Sequence, residues 1–146
     1  MSSTITLTRI DARHPLFPEV FALRDTGLRK PLGQSLYEED TSGDLEDDIF
    51  IAQDGARIIG CLMAKPLPGQ VIKLRQMIVD SAFQGKGIGR ELMQAAEAFV
   101  RSNGAKQIML HARNTAIPFY EKLGYAVHGD TFEEVGIPHK LMSKEL

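Results

Sequence analysis

The sequence is poor in cysteine, lacks tryptophan and contains no long apolar run. Its single cysteine, Cys61, excludes an intramolecular disulfide and fits a reducing compartment. The longest apolar stretch, IIGCLMA, is far too short to span a bilayer, and the opening MSSTITLTRIDARHP lacks the apolar core of a secretory signal. Neither sign of charge dominates: 17 Lys and Arg face 19 Asp and Glu, a net −2. That balance gives no electrostatic reason to expect nucleic acid or an anionic membrane as partner. The four histidines are scattered without a ligand-pair spacing, so no metal is expected. What remains is a chain of 146 residues, 43% apolar and 25% charged, without repeats or linkers. It reads as one cytoplasmic domain, 1–146, large enough to bury a core.

Charge is uneven at one place. EEDTSGDLEDD, from Glu38 to Asp48, carries seven acids and no base. It is either a solvated loop or a rim that attracts a cationic amine.

ITLTRI alternates like a half-buried strand, and the spacing of Leu16, Val20, Leu23, Gly27 and Leu28 predicts a helix from Pro15 to about Lys30. Asp54-Gly55 predicts a hairpin between two strands, closed by Pro66, Pro68 and Gly69, and VIKLRQMIV (71–79) opens the next. Ile88, Leu92, Ala95, Ala96 and Phe99 mark a helix face that Asn103-Gly104 terminates. The strand KQIMLHA then implies one parallel crossover. A short helix follows, with Asn114 or Thr115 as its cap and Gly124 as its stop. Two last strands, 125–132 and 140–144, flank FEEVGIPH. The fold class is α+β: a mixed, mostly antiparallel sheet of about six or seven strands with helices on both faces.

Between strand and helix lies QGKGIG, with Gly85, Gly87 and Gly89 in five positions. A Walker A loop would need Ser or Thr where Gly87 stands, and a dinucleotide fingerprint would need glycine at Arg90. Neither pattern fits. Unobstructed backbone N–H groups at a helix start nevertheless suit a pyrophosphate, with Lys86 and Arg90 adding charge. A connection that only packs helix on sheet is the alternative.

These segments resemble the GNAT superfamily of acyl-CoA-dependent N-acyltransferases. The family's [QR]-x-x-G-x-[GA] signature is matched by Gln84, Gly85, Lys86, Gly87, Ile88 and Gly89. Its late A-x-x-x-Y-x-K-x-G-[FY] element is matched by Ala116, Tyr120, Lys122, Gly124 and Tyr125. The tail is similar to a subgroup ending in G-I-P-H. The resemblance implies transfer of an acetyl group from acetyl-CoA to a primary amine by direct attack, without a covalent intermediate on Cys61. It implies coenzyme A contacts from Met77, Ile78, Val79, the loop Gln84 to Arg90, Asn114 and Tyr120, with Tyr120 protonating the departing thiolate.

Strand 71–79 carries no carboxylate to act as base. His111 is the substitute, since an ordinary histidine pKa of ~6.5 suits the role. Glu133 and His139 are alternatives, at the base or the acceptor site. Arg24 and Arg29 are candidates to hold an acceptor's carboxylate or phosphate, so a small-molecule and a lysine-like amine both stay open. A non-catalytic acyl-CoA sensor and an unrelated nucleotide-phosphate binder are the rival functions. Edge strands leave a homodimer open.

Overall fold

The computed structural model describes residues 5–146. Alternating segments become strands β1 (Ile5–Ile10), β2 (Asp48–Asp54), β3 (Arg57–Leu67), β4 (Val71–Val79), β5 (Gln107–Arg113), β6 (Ala126–Glu134) and β7 (Ile137–Glu145). The helices are α1 (Phe17–Leu28), α2 (Ile88–Ser102) and α3 (Ile117–Lys122). One seven-stranded sheet runs β1-β2-β3-β4-β5-β7-β6, and only the β4–β5 pair is parallel. That pair brackets α2, because a helical crossover is what a parallel connection requires. The α+β expectation holds.

Two cores follow from the period of the strands. Leu62, Leu74, Leu110 and Met142 point to the face covered by α2 and α3, where they meet Leu92, Met93, Ala96 and Val100. Ile49, Ile51, Cys61 and Met63 point to the opposite face and pack beneath Val20 of α1. Each buried aliphatic side chain contributes about 1.5–3 kcal/mol by leaving water. Helix α1 lies so close to the sheet that a Cβ on Gly27 would stand 2.6 Å from the Ile78 side chain. No larger residue fits there unless the Ile78 side chain shifts.

Three local expectations shift. Helix α1 begins at Phe17 and ends at Leu28, inside the range from Pro15 to Lys30. FEEVGIPH does not separate the last strands; it forms their hairpin, with Val135 at φ 49 and Gly136 at φ 77. Positive φ at both turn positions matches the right-handed twist of the strands. The acidic run is solvated along much of its length but is not a free loop. It folds into two short 3-10 turns, Leu36–Glu38 and Ser42–Glu46, that bury Asp44 and Asp47. No helix among the described residues is long and apolar enough to cross a membrane.

Candidate active site

The site begins with an irregularity in β4. Cys61 stands opposite Ile78 but Met63 opposite Arg75, so the β3–β4 register shifts and Gln76 adopts φ 57. Such a conformation costs a non-glycine residue about 1–3 kcal/mol, and neighbouring bonds must hold it. Arg24 Nε donates to Gln76 Oε1 at 3.2 Å, and Cys61 Sγ lies 3.4 Å from the Gln76 carbonyl. Beyond the bulge β4 leaves β5. Their pairing runs from Val71↔Gln107 to Leu74↔Leu110 and stops, while β5 stays on β7 as far as Arg113↔His139. A cleft of ≈900 Å³ opens between the diverging halves, lined from both faces of the sheet.

One half of the cleft is built by β4 after the bulge, the glycine loop and α3. Met77, Ile78, Val79, Gln84, Gly85, Gly87, Ile88, Gly89, Arg90 and Tyr120 all line it. Gly85 and Gly87 sit at φ 79 and 80, and a Cβ on either would point into open space. Glycine is needed there for the backbone conformation. Among the described residues, no backbone N–H from Gly85 to Arg90 has a protein acceptor, and α2 starts without a side-chain cap. A row of free donors at a helix N-terminus is an anion cradle. Two expected contacts do not line the cleft. The Lys86 ammonium lies 5.6 Å from the Phe83 ring centroid instead. Asn114 opens an exposed 3-10 turn, and its neighbour Arg113 is the residue that lines the cleft.

Tyr120 comes from α3, flanked by Phe119 and Tyr125 at ring separations of 5.0 and 6.1 Å. Burial pushes its hydroxyl up to about 12, with Arg113 opposing the shift. The phenol therefore stays protonated across the neutral range, and it has no hydrogen-bond partner among the described residues. Tyr125, by contrast, is engaged: its hydroxyl donates to Glu97 at 2.7 Å, and burial with that carboxylate pushes it far up.

The other half belongs to the end of α1, the early part of β4, and the β5, β6 and β7 strands. His111 lines it, with Nδ1 2.8 Å from Glu134 Oε1 and its ring against the edge of Phe132 at 4.9 Å. Glu134 was missed in the sequence. Its neighbour Glu133 pairs opposite Pro138 and does not line the cleft, so the candidate carboxylate moves by one residue. The Val135-Gly136 turn, seen in the structure, fixes which acid faces inward. His139 also lines the cleft but is buried, with Nδ1 2.7 Å from the Ile137 carbonyl and Nε2 4.0 Å from Glu134 Oε2. A carbonyl only accepts, so His139 Nδ1 carries the proton. A carboxylate on His111 Nδ1 likewise favours the tautomer whose Nε2 holds the lone pair.

The arginines need correction. Arg24 is 1% exposed and bonded to Gln76 and Asp44, so its placement assigns it to holding the bulge and not to an acceptor. Arg29 does line the cleft, in a two-pronged pair with Glu39 at 2.6 and 3.3 Å. The acidic run supplies the partners of all these cations. Asp44 also accepts from Arg75 at 2.6 Å, and Asp47 binds Arg75 and Lys65 at 2.8 and 2.9 Å.

A cleft with an anion cradle at one end, a buried phenol at its middle and a carboxylate-oriented imidazole at the other can bind a phosphorylated carrier and move protons beside it. A family model described as acetyltransferase (GNAT) domain matches residues 23–146. The uncharacterized N-acetyltransferase YjcF of Bacillus subtilis is 29% identical over 128 residues, 87% of this chain and 91% of that one. For YyaT of the same organism, 33% identical over 78 residues, the match spans about half of each protein, 53%. A solved structure from Lactobacillus plantarum superposes with a TM-score of 0.86 at 27% identity, covering 97% of this chain and 98% of the other. A GNAT acetyltransferase of Elizabethkingia anophelis with acetyl-CoA bound is 18% identical, covers 99% of this chain and 100% of its own, and gives a TM-score of 0.72. The chain belongs to the GNAT acetyltransferase family.

Proposed function

We propose that this protein transfers an acetyl group from acetyl-CoA to a primary amine by direct attack in a ternary complex. The observation that carries the reading is the row of free N–H groups from Gly85 to Arg90 beside a strand whose outer half has lost its parallel partner. The loop donors suit the pyrophosphate of coenzyme A, and the unpaired β4 backbone around Met77 suits the pantetheine arm and the thioester carbonyl.

The amine must be neutral to attack. His111 accepts its proton at Nε2, and Glu134 holds the ring and stabilises the imidazolium that forms. The C–N bond forms, the C–S bond breaks, and the proton that the acylated nitrogen loses passes to the departing thiolate, which leaves beside Tyr120. Full proton transfer from a phenol at about 12 to a thiolate whose conjugate acid lies near ~8.5 is uphill. The main contribution of Tyr120 is therefore a hydrogen bond to the developing negative charge. Cys61 is buried, and burial pushes its thiol up to about 12, which speaks against an acyl-cysteine route.

A thermal shift with acetyl-CoA, followed by thiol release with added amines, tests the reading. Stabilisation with amine-dependent release supports it. Stabilisation with no release from any amine tried favours the acyl-CoA sensor, and absence of a shift removes coenzyme A altogether.

A further inference from the structure

The acidic run Glu38 to Asp48 invites the idea of a cationic acceptor, and its contacts argue the opposite. Glu39 holds Arg29, Asp44 holds Arg24 and Arg75, Asp47 holds Arg75 and Lys65, and Asp48 holds Arg9. Asp40 turns back on Ser42. A side pocket of ≈140 Å³ beside the cleft is lined by three of these acids, Glu39, Asp40 and Asp44, and by as many cations or more: Arg24, Arg29, Lys65 and Arg75. In the cleft itself the carboxylate is Glu134, engaged by His111. Among the described residues, no uncommitted acid lines the cleft to bind a second ammonium group.

The cations are not all matched. Lys73 stands on β4 directly opposite Lys65. Two like charges in register repel unless each has a counter-ion. Lys65 has Asp47 and Glu46, whereas Lys73 lines the cleft with no carboxylate within 4 Å among the described residues. Two residues on, Arg75 gives Nε and Nη2 to the acidic run and leaves Nη1 without a partner among the described residues. The period of a strand puts both side chains on the α1 face, the face that His111 shares through the Lys73↔Met109 register.

We infer that the acceptor is a small amine carrying an acid group, a carboxylate or a phosphate, which Lys73 and the free Nη1 of Arg75 bind while the amine faces His111. This rests on the acetyl-transfer reading. The anion completes the charge balance of the wall, and its ammonium loses a proton to the one base that faces it.

The test uses the whole protein with coenzyme A at saturation. β-Alanine and O-phosphoethanolamine are titrated against ethanolamine and putrescine, with the melting temperature as readout. One or both anionic amines should stabilise beyond coenzyme A alone, and the one that does names the acid group. Lys73→Ala should raise its half-saturating concentration about tenfold, the scale of one charge-assisted contact. Lys73→Arg, which keeps the charge, should restore it. Stabilisation by ethanolamine or putrescine at lower concentration overturns the inference, as does no response to either anionic amine. An unchanged titration in Lys73→Ala overturns it too. Coenzyme A alone is the separate control: binding of coenzyme A with preference for putrescine overturns only the acceptor class, and failure to bind coenzyme A overturns both.

Discussion

Arg24 Nε donates to Gln76 Oε1 at 3.2 Å while its Nη1 donates to Asp44 at 2.8 Å, so one buried guanidinium links the β4 bulge to the acidic run. The splay of β4 from β5 depends on Gln76 holding a positive φ that its side chain does not favour. Removing Arg24 frees that residue and leaves Asp44 with Arg75 alone. Arg24→Ala should lower the unfolding free energy by about 3 kcal/mol. Urea melts measure that loss, and coenzyme A titrations should show weaker binding because the bulge relaxes. A stable variant with unchanged coenzyme A affinity would show that the bulge does not need this bond.

The glycine loop makes a different demand. Gly87→Ala places a Cβ where nothing blocks it, but at φ 80 the backbone is strained by about 1–2 kcal/mol. Relaxation turns the N–H row away from its common direction. Calorimetric titration should give coenzyme A affinity at least about tenfold weaker, with only a small fall in melting temperature.

Tyr120→Phe should reduce kcat about 100-fold and leave coenzyme A affinity within about twofold. The wild-type profile carries a further signature. Because burial pushes Tyr120 up to about 12, loss of its proton should not depress kcat between pH 8 and 10. The same shift sets a stability window. An unfolded tyrosine ionises near ~10, so the folded state binds the extra proton between ~10 and about 12, and stability falls as pH rises through that interval by roughly 2–3 kcal/mol. Below pH ~10 both states are protonated and Tyr120 contributes no slope. Denaturant melts of wild type and Tyr120→Phe at pH 9 and 11 should differ in that slope.

The imidazole and its carboxylate should act as a pair. His111→Ala is expected to lower kcat/KM about 100-fold and Glu134→Gln about 10-fold, with a double variant close to His111→Ala alone. Simple multiplication of the two effects in the double variant would mean that Glu134 does not act through His111.

Much of the architecture was already legible along the chain. Alternation gave β1, the Asp54-Gly55 turn gave β2 and β3, the 3.6 period gave α2, and the spacing of Gln84 to Gly89 with Tyr120 to Tyr125 carried the family. Those are local signals, since a strand or helix that buries one face must repeat its apolar residues at the element's own period. The apolar spacing also gave helix α1, but not that Arg24 and Asp25 are buried in it beside Val20, because charged residues are read from sequence as a solvated face.

Other features were decided only in three dimensions. Sequence order cannot show that five of the seven acids, Glu39, Asp44, Glu46, Asp47 and Asp48, will be matched by Arg9, Arg24, Arg29, Lys65 and Arg75, and so it left open a cationic acceptor that those ion pairs argue against. Nor can it show which of two adjacent glutamates faces inward, because that depends on the β6–β7 turn and shifts with a one-residue change of register. The sequence by itself determined the family, the glycine cradle and the phenol, each carried by residues close together in the chain. The tertiary structure decided the carboxylate that holds His111, the bulge clamp and the unmatched Lys73, because each depends on polar and charged groups from segments that only folding brings together.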